Sequence, residues 1–247
     1  MVCKKIMSSV FFSVLVFACQ NKNSLDSTLK KKSVSKAINK ETAPLQSATL
    51  KKDTLGPEIT EFLENYNYVI QYEAVGFLNP DNFKDKVLIL QEDEESKSFA
   101  RITLILLGSK QGFELYKKSY TIMPPEYNAD NYKNFDVEDV TIENNKILFD
   151  LSAVGPNGHI SFEFTFQNND LQLQEFTGYF MGAGSHTEYT YKPKNQTTGT
   201  LEETVINTME DDMPSTTKAY GIKLKSPADF ENFDYDKFLN EIIQQTN

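Results

Sequence analysis

A mainly β fold is predicted: an antiparallel, sandwich-like body with a short helix near each end, behind a disordered N-terminal tether. Three observations predict it. The stretch ISFEFTF alternates strictly, with Ile160, Phe162, Phe164 and Phe166 on one face and Ser161, Glu163 and Thr165 on the other. Turn-forming clusters then separate β-rich segments at hairpin spacing, namely GSKQG at 108, ENN at 143, GPNG at 155 and QNND at 167. Helical spacing of apolar residues occurs only at the two ends of residues 57–247.

In chain order, PEITEFLENY begins with Pro57 and puts Ile59, Phe62 and Leu63 on one stripe, which predicts a first helix. YVIQYEAVGF, KVLILQ, RITLILL, GFELYKKSYTI, DVTIEN, KILFDLSA, ISFEFTF and DLQLQEF follow as strands. A glycine-rich turn at MGAGSH separates EFTGYF from TEYTYKP, and TLEETVINTM with KAYGIKLK reads as one more hairpin across the acidic turn EDDMPSTT. Alternation with one polar face marks antiparallel sheet rather than βαβ units. DYDKFLNEIIQQ then repeats apolar groups at Phe238, Leu239, Ile242 and Ile243 behind an aspartate cap, a second short helix. Residues 57–247 are long enough for a single β-rich domain with its own core.

The N-terminus reads as an address. Lys4 and Lys5 precede a mostly apolar run from Ile6 to Ala18, too short to span a bilayer and fitted to a secretory signal. The run closes on VFAC, with Val16, Phe17 and Ala18 ahead of Cys19. VFAC resembles the lipobox of bacterial lipoproteins. That resemblance implies cleavage of a signal peptide at residues 1–18, diacylation of the Cys19 thiol and acylation of the new amine. It also implies a lipid-anchored place in the bacterial cell envelope, with the outer membrane expected. The alternative is a plain secretory signal, or a short N-terminal anchor, that happens to contain a cysteine. Cys3 would leave with the signal, so the mature chain is expected to have no disulfide, no thiolate metal site and no cysteine nucleophile.

Residues 19–56 then carry the lipidated cysteine and a basic tether rich in Ser, Thr, Lys and Asn, with no aromatic residue and no sustained period. DST at Asp26 and DTL at Asp53 are similar to an O-glycosylation motif of some Gram-negative lipoproteins. The chain's formal net charge is −10; two leader lysines and a surplus of five positive charges in the tether leave −17 on residues 57–247. A body so acidic argues against nucleic-acid binding and is compatible with a basic partner.

The order of strands over roughly residues 66–192, with FLNPDNFKDKVLIL starting at Phe77, is similar to a group of bacterial lipoproteins with an antiparallel β body and no assigned activity. In that group a loop like D-L-N-x-D-G-x-x-D precedes an apolar strand. Asn79, Asp81 and Asp85 match positions three, five and nine of that pattern, whereas Phe77 replaces the first oxygen ligand and Asn82 the turn glycine. Calcium seeks six to eight oxygens, so the loop is expected to keep its shape without a working ion site.

No cofactor signature is present: the sequence contains no GxxxxGK[ST], no HExxH and no CxxC. His159 closes VGPNGH at a hairpin end, and Ser185 precedes His186 in MGAGSH, where neighbouring strand residues point to opposite faces. Carboxylate runs occur at Glu92 to Glu95, at Asp136, Glu138 and Asp139, and at Glu210 to Asp212; each is expected to be a solvated turn. The long stretch MPPEYNADNYKNFD is the candidate recognition loop, with Tyr127, Tyr132 and Phe135 of the types that interfaces favour.

Three readings result. The first is an envelope lipoprotein whose β body binds a protein or glycan partner without catalysis. The second is an inhibitor or immunity-type protein against a basic envelope enzyme. The weakest is a hydrolase working through loop carboxylates.

Overall fold

The computed structural model describes residue 55 and residues 57–65, 68–92, 100–155 and 157–246; Cys19, the leader and the tether before Leu55 lie outside the described residues. Their order is α1 (Pro57–Asn65), β1 (Tyr68–Gly76), β2 (Asp85–Glu92), β3 (Ile102–Ser109), β4 (Gly112–Ser119), β5 (Val137–Glu143), β6 (Lys146–Ser152), β7 (His159–Gln167), β8 (Asp170–Met181), β9 (Ser185–Pro193), β10 (Thr198–Asn207), β11 (Ser215–Lys223) and α2 (Tyr235–Ile243). The mainly β expectation, with one short helix near each end, is met. Two antiparallel sheets form, a four-stranded one ordered β1-β2-β3-β4 and a seven-stranded one ordered β11-β10-β9-β8-β7-β6-β5.

Within each sheet every strand pairs with the strand next to it in the chain, so both sheets are simple meanders. Asn144 and Asn145 (φ 53° and 64°) and Asn168 and Asn169 (φ 52° and 59°) form two-residue turns with both central residues left-handed. Asparagine tolerates that region better than other residues with a side chain, and such turns match the twist of paired strands.

The two middle strands of the small sheet are buried on both faces, which is why β2 and β3 read as near-continuous apolar runs. Leu88, Leu90, Leu104 and Leu106 pack against Ile59 and Leu63 of α1. Val87, Ile89 and Ile105, one residue out of step, face the large sheet. In β1 a bulge lies between Ile70 and Tyr72. It switches the strand's faces, so Ile70 joins the α1 side and Tyr72 the side between the sheets. The free edges β1 and β5 close together at one corner. There a Cβ on Gly76 would lie 2.5 Å from the Ile142 carbonyl oxygen, so only glycine allows the approach.

The small sheet does not cover the whole inner face of the large one. After β11 the chain returns across that face, filling it with Phe230, Phe233, Phe238 and Ile242, all buried. Phe233 lies 5.0 Å from Phe162 and 5.4 Å from Phe164 between ring centroids, and Phe238 lies 5.2 Å from both Phe176 and Tyr191. Hydroxyls tie this segment to the end of β4, with Ser119 Oγ donating to the Glu231 carbonyl (3.0 Å) and Thr121 Oγ1 to that of Phe233 (2.8 Å). Asp234 caps α2 by accepting from the Lys237 N–H at 3.1 Å.

Truncating Phe233 to alanine removes the ring at the centre of this aromatic cluster. We expect Phe233→Ala to cost about 3–5 kcal/mol, measured as the shift of the urea-unfolding midpoint at unchanged slope.

Candidate functional site

The chain contains one arginine among its 25 basic residues, and it is the key to the predicted recognition loop. Arg101 precedes β3 on the same face as Thr103 and Ile105, so its side chain enters the space between the sheets, where it is 0 % exposed. Its Nη1 and Nη2 donate to Glu138 Oε2 and Oε1, each at 2.7 Å, a two-pronged pair across the sheets. Nη1 also donates to Gln71 Oε1 (2.9 Å), and Nε to the Pro124 carbonyl (2.6 Å). Gln71, the residue of the β1 bulge, passes the connection on by donating to Glu126 at 3.0 Å. Tyr72 donates to Glu138 Oε2 at 3.1 Å.

This corrects one expectation. Glu138 is a buried ion-pair partner and no part of a solvated acid run. Its neighbours in the run differ, as Asp136 Oδ2 accepts from the Val154 N–H at 2.6 Å and Asp139 is exposed. Those roles separate the acids that a glycoside-cleaving pair would have combined.

Pro124 and Glu126 are the base of the long loop, so Arg101 holds it from beneath. Above them the chain forms a small hairpin, with a bridge between Tyr127 and Lys133 and the Asn128 N–H donating to the Tyr132 carbonyl at 2.8 Å. Asn128 Oδ1 accepts from the N–H groups of Asp130 and Tyr132, and Asn131 takes φ 63°. Tyr132 stands out at 71 % exposure. A second correction falls on Phe135, which is 0 % exposed and set edge-on against Tyr235 at 5.8 Å. It is a core anchor and is unavailable to a partner. The loop thus divides into a buried foot and a displayed tip.

The loop at Phe77 folds on itself. Asn82 takes the left-handed conformation, φ 66°, in place of a glycine. Asn79 Oδ1 accepts from the Asp81 N–H (3.0 Å) and Asp81 Oδ1 from that of Phe83 (2.8 Å). Asp85 is buried and splits its two oxygens between the Leu78 N–H (2.7 Å) and the Gly108 N–H (2.9 Å). Burial pushes its carboxyl up, opposed by those backbone donors. Asp85 therefore joins two turns of the small sheet. Phe77 is exposed.

Both histidines stand on the outer face of the large sheet. His159 Nδ1 bonds Ser152 Oγ at 2.6 Å, and its Nε2 lies 3.3 Å from Asp150 Oδ1. The trio has the partners of a nucleophile-base-acid relay, but His159 and Ser152 are paired across β7 and β6, whose neighbouring backbone N–H groups serve the sheet. An oxyanion formed at Ser152 would find no preorganised donors there. His186 bonds the Tyr179 hydroxyl through Nδ1. Of the remaining acid runs, Glu210 to Asp212 form the exposed β10–β11 turn, and Glu92 ends β2 with its next three neighbours outside the described residues.

No family model, curated protein or solved structure matches the chain.

Two predictions test the clamp. Arg101→Met leaves Glu138 buried without its counter-charge and should cost about 3–5 kcal/mol, whereas adding Glu138→Leu to it should restore much of the loss; urea unfolding of both variants decides. The second concerns alkaline pH. Burial, with the nearby Glu138 carboxylate, pushes the Tyr72 phenol up to about 12; burial, with Asp236 and Asp234, does the same to Tyr235. A folded value above the ordinary 10 means that their stabilising contribution is complete below pH 10 and is lost as pH rises towards 12. Tyr72→Phe should make that decline shallower, as followed by unfolding at stepped alkaline pH.

Proposed function

We propose that this chain is an envelope lipoprotein, anchored through a lipid on Cys19, whose β body is a non-catalytic binding module. Support for the anchor is the VFAC run behind a short apolar leader and the basic stretch that follows it. Among the described residues no helix is long and apolar enough to cross a membrane. The observation that carries the module reading is the hairpin above Arg101. Its foot is fixed by the Pro124 carbonyl bond and by buried Phe135, while Tyr132 is held out at the tip. An aromatic side chain on a rigid support loses little conformational freedom on binding, which is what a recognition loop requires. The partner is a protein or a glycan of the cell envelope. A basic envelope enzyme, which the −17 on residues 57–247 would steer inward, is the second reading.

The anchor and the module are tested separately. Growth with labelled palmitate should mark the wild-type protein and leave Cys19→Ser unmarked. Capture from envelope extract by the full-length protein should fall at least roughly tenfold with Tyr132→Ala, at unchanged thermal stability. Capture that Tyr132→Ala leaves intact counts against the hairpin. Capture that collapses between low and high salt assigns the basic-enzyme reading.

A further inference from the structure

Exposed apolar side chains gather at one corner of the large sheet. Val154, in the β6–β7 loop, is 91 % exposed, Val137 at the start of β5 is 62 % exposed, and Tyr132 stands at the hairpin tip. Hydrogen bonds join the pieces that carry them. Asp136 Oδ2 accepts from the Val154 N–H at 2.6 Å, and the Asp136 N–H donates to the Ser152 carbonyl at 2.8 Å. Asn157 Nδ2 donates to the Asn134 carbonyl at 2.7 Å, so the β6–β7 loop is tied to the end of the hairpin as well. The loop is also closed on itself, the Ala153 N–H donating to the Gly158 carbonyl at 2.8 Å. A valine so exposed on a loop so fixed adds no burial to the fold, and apolar groups displayed together mark a surface that meets another molecule.

The charges beside this patch determine what that molecule carries. Asp139 follows Val137 on the outer face of β5. It is the direct partner of Asp150 across β5 and β6, which sets two like charges opposite each other with Cβ atoms about 5 Å apart, a destabilising arrangement. The same face carries a second such pair, Glu163 opposite Glu175. There a lysine answers each carboxylate, Lys146 at 2.7 Å from Glu163 and Lys192 at 3.4 Å from Glu175. No lysine answers Asp139 or Asp150 among the described residues. Asp150 has His159 Nε2 at 3.3 Å, and Asp139 makes no ion pair or hydrogen bond with another described residue. Lys133 of the hairpin pairs instead with Glu126, at 3.8 Å. The free chain thus keeps a repulsion here that a cation from outside would relieve.

We infer that this corner docks a protein surface presenting an arginine or lysine beside apolar side chains, with the cation between Asp139 and Asp150 and the apolar groups against Val137 and Val154. A guanidinium fork can serve two carboxylates at once. A neutral glycan would leave the repulsion in place. The inference rests on the module reading and names the class of partner within it.

Photo-crosslinking in envelope extract tests it. The full-length protein carries benzoylphenylalanine in place of Val154 or, as a control, in place of Glu188, an exposed residue of the same outer face on β9. Irradiation should join position 154, but not position 188, to a protein, and mass spectrometry should find arginine or lysine in the joined peptide. Asp139→Asn should reduce that adduct roughly tenfold while melting at or above the wild-type temperature, because it removes a like-charge pair; a purely structural Asp139 would give a lower one. Four results would overturn the inference: no adduct or only a glycan adduct at position 154, equal adducts at both positions, an adduct indifferent to Asp139→Asn, or a lower melting temperature for that variant. If position 154 stays unjoined while capture still depends on Tyr132, this docking surface fails and the module reading stands; if both are lost, both fail.

Discussion

The pairing of Arg101 with Glu138 constrains the whole molecule. Two charges withdrawn from water are tolerated only when geometry is close and other polar groups complete their bonding. Here a bidentate contact, the carboxamide of Gln71, the carbonyl of Pro124 and the hydroxyl of Tyr72 do so together. Satisfying them fixes the separation of the two sheets, the position of the β1 bulge and the path of the chain into the hairpin. A lysine, with one compact charge and no planar fork, does not meet the same set of acceptors. That accounts for a lone arginine in a chain otherwise supplied with lysine.

The second constraint is apolar. The large sheet presents more inner surface than four short strands can cover, and the sequence supplies the remainder from its last residues. Phe230 and Phe233 enter between the sheets, and Phe238 and Ile242 continue along the face towards β9. Aromatic rings at centroid distances of 5.0–5.4 Å fill this layer with edge-on and tilted contacts. The end of the chain is thus part of the core.

Much of the fold was legible because its determinants are local. The alternation in ISFEFTF, the paired asparagines of two turns and the aspartate before α2 each act over a few residues. What escaped was non-local. Glu138 sits in DVEDV, which looks like any solvated acid run until a residue 37 positions earlier supplies its counter-charge. Phe135 belongs to a loop whose aromatic residues suit an interface or a core equally well, and only Tyr235, from the far end of the chain, decides between them. The burial of Tyr191 leaves no trace in TEYTYKP, since it comes from Phe238 and from the absent side chain of Gly199. A solitary arginine was the one signal in the sequence that pointed to a buried polar contact.

Of the four strands that end the two sheets, β1 and β5 meet each other, which leaves β4 and β11 as edges with no strand partner among the described residues. Each of these carries two lysines, Lys117 and Lys118 on β4 and Lys218 and Lys223 on β11. A bare strand edge is a template on which a second molecule can polymerise, and lysine is among the residues that discourage it, because a stacked copy would bring like charges into register. Where many copies of the chain meet, such guarded margins keep neighbours separate and leave the loops, rather than the backbone, to choose what they touch.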